Sequence, residues 1–178
     1  LARLYFQQGK FVEGVELAKS SMKDQRISLV LLAYAHRHGV GGYSIDLPEA
    51  VKLLQQGVDR GEPEAMSDLG NAYAQGKGVD KDEKRALDLL QRAADTGELE
   101  AIYHLAGVRY MGRLGTNKDV DEALRLMQKS ADSGLPIAQL RLGMILVSRE
   151  KRMSPEAQRY ITSAREQMER FSRQGSSW

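Results

Sequence analysis

Leucine recurs in this chain at Leu32, Leu69, Leu105 and Leu142, separated by 37, 36 and 37 residues, and the neighbours of each leucine recur with it. Alanines repeat at Ala50, Ala86, Ala123 and Ala157; glycines repeat at Gly39, Gly76 and Gly112 and again at Gly61, Gly97 and Gly134. A period within about 20–50 residues marks a chain of supersecondary units that cannot bury their apolar faces alone and must stack. The period also explains the glycine-rich stretch GNAYAQGKGVDKDEKRA at residues 70–86. A phosphate-cradling loop would occur once. Glycines that return with the period, each costing a helix interior roughly 1 kcal/mol relative to alanine, mark where helices end.

Each unit reads as a helix pair. In the second unit, one pattern of apolar and small residues at helical spacing runs from Ala65 to Gly76 and another from Asp82 to Gly97. At the ends of both, glycine takes the left-handed conformation that satisfies the last carbonyls. The second helix of each pair opens at a capping residue: Asp46, Asp82, Asp119 or Ser154. Asp46 with Glu49, and Asp119 with Glu122, have the spacing of a capping box, and Pro155 suits the first helical position after Ser154. Small residues beside each leucine (Ala33, Gly70, Ala106, Gly143) let the paired helices approach, with Ala86 and its equivalents facing them. Pro63 and Pro136 fall in the turns between units. Stacked hairpins of this kind predict an all-α, right-handed α-solenoid with a concave and a convex face.

Composition restricts function. The 42% hydrophobic content suffices for one domain of 178 residues, and without cysteine there are no disulfides or thiolate metal sites. No apolar run approaches the roughly 20 residues of a membrane span, so direct membrane insertion is not expected. LARLYFQQGKF, at the start, has neither an initiator methionine nor a signal-peptide pattern and reads as cut from a longer protein. With 26 basic against 24 acidic residues the chain lacks the footprint of a nucleic-acid binder. Residues 149–173 are mildly basic, with seven cations against four carboxylates, and read as a solvated helix face ahead of a patch for an acidic partner.

The pattern A-x-x-x-L-G-x-x-Y-x-x-G-x-G-V-x-x-D-x-x-x-A from Ala65 to Ala86, followed by Ala93, Ala94 and Gly97, resembles the Sel1-like repeat, a relative of the tetratricopeptide repeat. The first and third units resemble it well. The fourth departs, with Leu146 and Arg149 in place of the aromatic and glycine, as a terminal capping unit would. Ahead of them, Leu1, Ala2, Tyr5, Gly9 and Phe11 resemble a tetratricopeptide hairpin. The expected organisation is a single repeat domain over 1–173: a partial hairpin at 1–24, repeats at 28–64, 65–100 and 101–137, and a fourth at 138–173 ending in a capping helix, with a tail at 174–178.

The resemblance implies a scaffold or adaptor that binds a partner protein or peptide along its concave groove, within a multiprotein assembly. Bacterial members often serve the envelope or exopolysaccharide export, which favours a periplasmic or envelope location over a cytoplasmic one. By the register of such hairpins the groove is lined by Arg3, Phe6, Tyr34, Arg37, His38, Asn71, Gln75, Tyr103, Tyr110, Met111 and Met144, with Ser67 at a flanking position, while Val30, Leu140 and Val147, which the same register also reaches, read as core. Tyr34, Arg37 and the later tyrosines are the residue types that dominate interface energetics. For Tyr103 and Tyr110, packing between adjacent repeats is the competing reading.

Other chemistries find little support. His36, His38 and His104 are the candidates for metal or general-base work, and His36 and His38, two apart on a helix, point roughly 200° away from each other. Asp80, Asp82, Asp119 and Asp121 sit at helix starts, where they cap. No serine lies in a G-x-S-x-G elbow. An enzyme is therefore not expected, nor a cofactor or metal. A carbohydrate or cell-wall-fragment module using groove tyrosines is the alternative to the scaffold. Finally, Ala157, Tyr160, Ile161, Ala164, Met168 and Phe171 form an apolar stripe at helical spacing. Its first half is expected to cap the fourth repeat, and its end could dock a second copy or a neighbour.

Overall fold

The computed structural model describes residues 5, 9–20 and 27–175, with the side chains of 27–28 and 171–175 excepted. Among them are nine helices: α1 (Phe11–Ser20), α2 (Ile27–His38), α3 (Leu47–Asp59), α4 (Pro63–Gln75), α5 (Glu83–Asp95), α6 (Leu99–Met111), α7 (Val120–Asp132), α8 (Pro136–Glu150) and α9 (Pro155–Gly175). No strand occurs among the described residues. Helices α2/α3, α4/α5, α6/α7 and α8/α9 pack as antiparallel hairpins, and each hairpin packs on the next, an α-solenoid. None of these helices is long and apolar enough to cross a membrane.

The periodic residues build the core. Leu32, Leu69, Leu105 and Leu142 are buried, as are the four recurring alanines; burying a leucine contributes about 1.5–3 kcal/mol. Where glycine stands beside the leucine, the paired helix is close. A Cβ on Gly70 would lie 3.2 Å from the Ala86 carbonyl oxygen, and one on Gly143 would lie 3.1 Å from that of Ala157 and 2.7 Å from Ile161 Cγ1. The helices that begin each unit end at Gly39, Gly76 and Gly112, with φ between 65° and 67°. In the fourth unit, α8 runs on to Glu150 and Lys151 takes the left-handed position.

Capping follows the sequence with one difference. The carboxylates of Asp46, Asp82 and Asp119 accept the amides of Glu49, Arg85 and Glu122 at 2.9, 3.0 and 2.9 Å, and Ser154 Oγ accepts that of Ala157 at 3.3 Å. The capping boxes do not close reciprocally. The aspartate amides instead donate to the carbonyls of His36, Tyr73 and Arg109, at 2.8, 3.1 and 2.9 Å, tying each interhelix loop to the helix it leaves. Glu49 and Glu122, released from the box, pair with Lys52 and Arg125 one turn on. Pro63 and Pro136 open α4 and α8 at the first turn, where no amide is needed.

The last helix covers the fourth repeat through Ala157, Tyr160 and Ala164, all buried. Tyr160 donates its hydroxyl to Asp132 at 2.6 Å and receives a hydrogen bond from the Gln128 amide, and Gln167 donates to Gln139 at 3.0 Å, so α9 is fixed to both α7 and α8. The hydroxyl of Tyr160 holds the Asp132 carboxyl below its usual value. Where the other outer helices end at Gly61, Gly97 and Gly134, α9 continues, and Met168 is exposed there. The Phe171 side chain lies outside the described residues.

Candidate functional site

The residues placed in the groove by register divide into two groups. Arg3 and Phe6 lie outside the described residues. Tyr34, Arg37 and His38 form one cluster at the end of α2: the Tyr34 ring lies 4.2 Å from that of His38 and 6.5 Å from Phe11, while the Arg37 guanidinium sits 5.6 Å from the Tyr34 centroid. Arg37 also bridges to Asp68 of α4 at 3.3 Å and donates through Nε to His38 Nε2 at 3.2 Å. Burial, followed by the adjacent Arg37 charge, lowers the His38 pKa. These side chains spend their contacts on one another and on the adjoining units. His36 points elsewhere, its ring 4.2 Å from Tyr43.

Asn71, Gln75, Tyr103, Tyr110 and Met111 converge instead on one cleft of about 920 Å³ centred on α6. It is walled by α4, by α6 and its following loop, and by Arg141 and Ile145 of α8, with Met127 of α7 beneath. Met144, although exposed, is not among its lining residues, and Ser67 is buried in the packing of α4. His104, weighed in the sequence only as a metal or base candidate, lines the wall. Burial lowers its pKa, with the Asp68 and Glu98 carboxylates acting in the opposite sense. Among the described residues no three His, Asp or Glu side chains gather to hold a metal.

Two local departures from the repeat make this cleft. The first is Gly107, at the position held by Tyr34, Asn71 and Met144 in the other units. A Cβ there would meet nothing within 4 Å, so the floor is open by the lack of a side chain. Tyr103 and Tyr110 stand about one turn away on either side.

The second departure is Leu114. Two residues beyond the glycine that ends the first helix, the other loops carry Gly41 and Gly78, and all three positions have positive φ, at 66°, 76° and 54°. At Gly41 a Cβ would lie 2.8 Å from the Phe11 carbonyl oxygen, and at Gly78 2.4 Å from that of Leu47, so those loops rest directly on the first residue of an earlier outer helix. A leucine cannot be seated that way. Leu114 instead turns inward, 8% exposed, against Ala86, Leu90 and Val108. The neighbouring Gly115 has nothing within 4 Å, and the cleft extends between this loop and Lys81 and Glu83 at the start of α5.

The charges are lopsided. Lys81, Arg113 and Arg141 face one carboxylate, Glu83, which pairs with Lys81 at 2.6 Å. Lys118 adds a cation beside the rim, 5.8 Å from the Tyr110 centroid. Register reasoning from the first helices missed Arg113 and Leu114, which lie in a loop, and Arg141, one residue before the repeat leucine. The leucine standing in a G-x-G position was the available signal.

The family model described as the Sel1 repeat matches residues 27–62, 63–97 and 99–135. Among solved structures, the chain is similar to a Sel1 repeat protein from Oxalobacter formigenes (TM-score 0.72, 23% identity, 88% of this chain and 44% of that one). It is also similar to c5321, a protective antigen present in uropathogenic Escherichia coli strains displaying an SLR fold (0.62, 24%, 88% and 34%). A third likeness is to immunity protein Pa5087 from Pseudomonas aeruginosa (0.69, 21%, 86% and 57%). At these identities the likeness is one of fold, and the chain spans between a third and three fifths of each structure's length. The search of curated proteins found no match.

Proposed function

This chain belongs to the Sel1 repeat family, whose helical repeats generally serve as protein–protein interaction modules and are typically non-catalytic, and from that premise we propose that it is an adaptor holding part of a partner protein in the cleft centred on α6. The observation that carries this reading is Gly107: the concave face opens where the repeat elsewhere carries a side chain, and Tyr103, Tyr110 and Met111 surround the opening. Aromatic groups beside a concave, partly apolar site are suited to anchoring a partner residue. The cluster at Tyr34, Arg37 and His38 supports the fold near the other end, because Arg37 and Tyr34 are already engaged with Asp68 and Phe11. Sugar stacking is the weaker reading, since Lys118 lies over Tyr110 and His104 lies 5.5 Å from Tyr103.

Gly107→Leu separates binding from folding. Leucine in a helix interior is better than glycine by up to about 0.7 kcal/mol, so the variant should be at least as stable as the parent while its side chain fills the cleft. Affinity capture from the source cell's fractions should yield a protein held by the parent and by Lys129→Ala, on the exposed side of α7, and lost with Gly107→Leu. Equal capture by Gly107→Leu would place binding on another surface.

A further inference from the structure

Resting on the reading that the α6 cleft holds a partner, we infer that its occupant is a short peptide segment with an aromatic or long aliphatic side chain flanked by carboxylates. Three observations specify this chemistry. The gap over Gly107 lies between Tyr103 and Tyr110, seven residues apart and so about 10 Å along the helix. Its floor continues into buried Val108, Leu114 and Leu90, which a polar side chain would leave without hydrogen-bonding partners. The pocket thus asks for one sizeable apolar group.

Charge supplies the second requirement. Glu83 is taken by Lys81, which leaves Arg113, in the loop after α6, and Arg141, on α8, as cations of the lining, with Lys118 outside the rim. The excess of two positive charges in the lining equals the net charge of the whole 178-residue chain. A neutral or basic segment entering here would gain nothing from the arginines, and a basic one would meet repulsion. Carboxylates flanking the apolar anchor would meet two guanidiniums, one from the α6–α7 loop and one from α8, and charge-assisted pairing with them is strong and directional. Asn71 and Gln75 supply amides that can hydrogen-bond the peptide backbone between these points. The volume, near the top of the range of about 300–1,000 Å³ for small-ligand pockets, admits a few residues and not a folded domain.

A random dodecapeptide library displayed on phage, panned on the intact chain, tests this. Enriched peptides are then synthesised with a fluorophore and titrated by anisotropy on the parent, on Gly107→Leu, and on Arg113→Glu/Arg141→Glu and Arg113→Gln/Arg141→Gln. Both arginines are exposed, so these doubles should retain the parent's circular dichroism and melting. The expected result is enrichment of acidic residues around Phe, Tyr, Trp or Leu, affinity lost on Gly107→Leu, and weakening of about tenfold or more on the glutamine double and further on the glutamate double. Neutral or basic peptides that Gly107→Leu loses but the arginine doubles keep would overturn the inference and leave the cleft as the binding site. Peptides retained by Gly107→Leu, no enrichment at all, or binding of chitohexaose alone in a parallel titration would overturn both.

Discussion

The second and third interhelix loops occupy the same place in the repeat, begin with the same left-handed glycine, and reach the same left-handed backbone two residues later, yet one is closed and the other open. At Gly78 the chain lies so near the Leu47 carbonyl that no side chain fits. At Leu114 a side chain is present and folds inward onto Ala86 and Leu90 of α5, and the neighbouring Gly115 has open space around it. A repeat solenoid is stabilised by contacts between neighbours, and each seated loop adds one. The third unit replaces that backbone contact with the packing of one side chain, and a cleft opens beside it. On the reading proposed for the cleft, recognition lies where periodicity is broken, because a perfectly repeated face offers the same chemistry at every unit.

The largest effect is expected from imposing the third loop on the second. Gly78→Leu would set a side chain against the Leu47 backbone and place a non-glycine residue at a φ of 76°. The combined overpacking and strain should cost about 3 kcal/mol, lowering the melting temperature by on the order of 10 °C for a chain of this size. Thermal unfolding followed by circular dichroism measures it. A variant melting with the parent would mean that the loop can lift away without loss, and that seating contributes nothing.

The reverse substitution sharpens the comparison at smaller amplitude. Leu114→Ala removes most of a buried side chain and should cost about 2–3 kcal/mol. Leu114→Gly removes more, but it also relieves a φ of 54°, worth about 1 kcal/mol for an L-residue. Glycine should therefore be no worse than alanine at this position, the opposite of their usual order. Urea denaturation of the two variants decides the matter, and alanine clearly more stable than glycine would count against the strained backbone. In the anisotropy titration Leu114→Gly should weaken peptide binding, since without the leucine side chain the loop backbone is free to settle on the first residue of α5, as Gly78 does on Leu47.

How far this was legible in the sequence depends on the distance over which each feature is decided. The helix pairs, their leucines, the left-handed glycines and the aspartate caps are decided within one unit and repeat, so the period displays them several times. The cleft is decided between units. Leu114 is visible as a break in G-x-G, but its consequence depends on how near the backbone at the start of α5 lies, and Arg141 belongs to a unit that resembles the repeat weakly. Register put Tyr34, Arg37 and His38 on the groove with Tyr103 and Tyr110, and it had no means of seeing that Asp68 and Phe11 would engage the first group. It also put Ser67 there, which flanking packing buries.

The smallest effect concerns the position just before the repeat leucine, Asp68 in the second unit and His104 in the third. Asp68 pairs with Arg37; His104 is partly buried in the cleft wall, and that burial holds its pKa below the ordinary 6.5 against the pull of Asp68 and Glu98. The unfolded chain therefore binds a proton at a pH where the folded chain does not, and stability must fall as pH drops below about 6.5 toward the lower folded value. His38, lowered chiefly by burial and Arg37, contributes in the same window. Denaturation between pH 7.5 and 5 should show the slope in the parent, a shallower one in His104→Asn or His38→Asn, and the least in the double. A slope unchanged in His104→Asn would mean that this imidazole is solvated in the folded chain and that the cleft wall does not desolvate it.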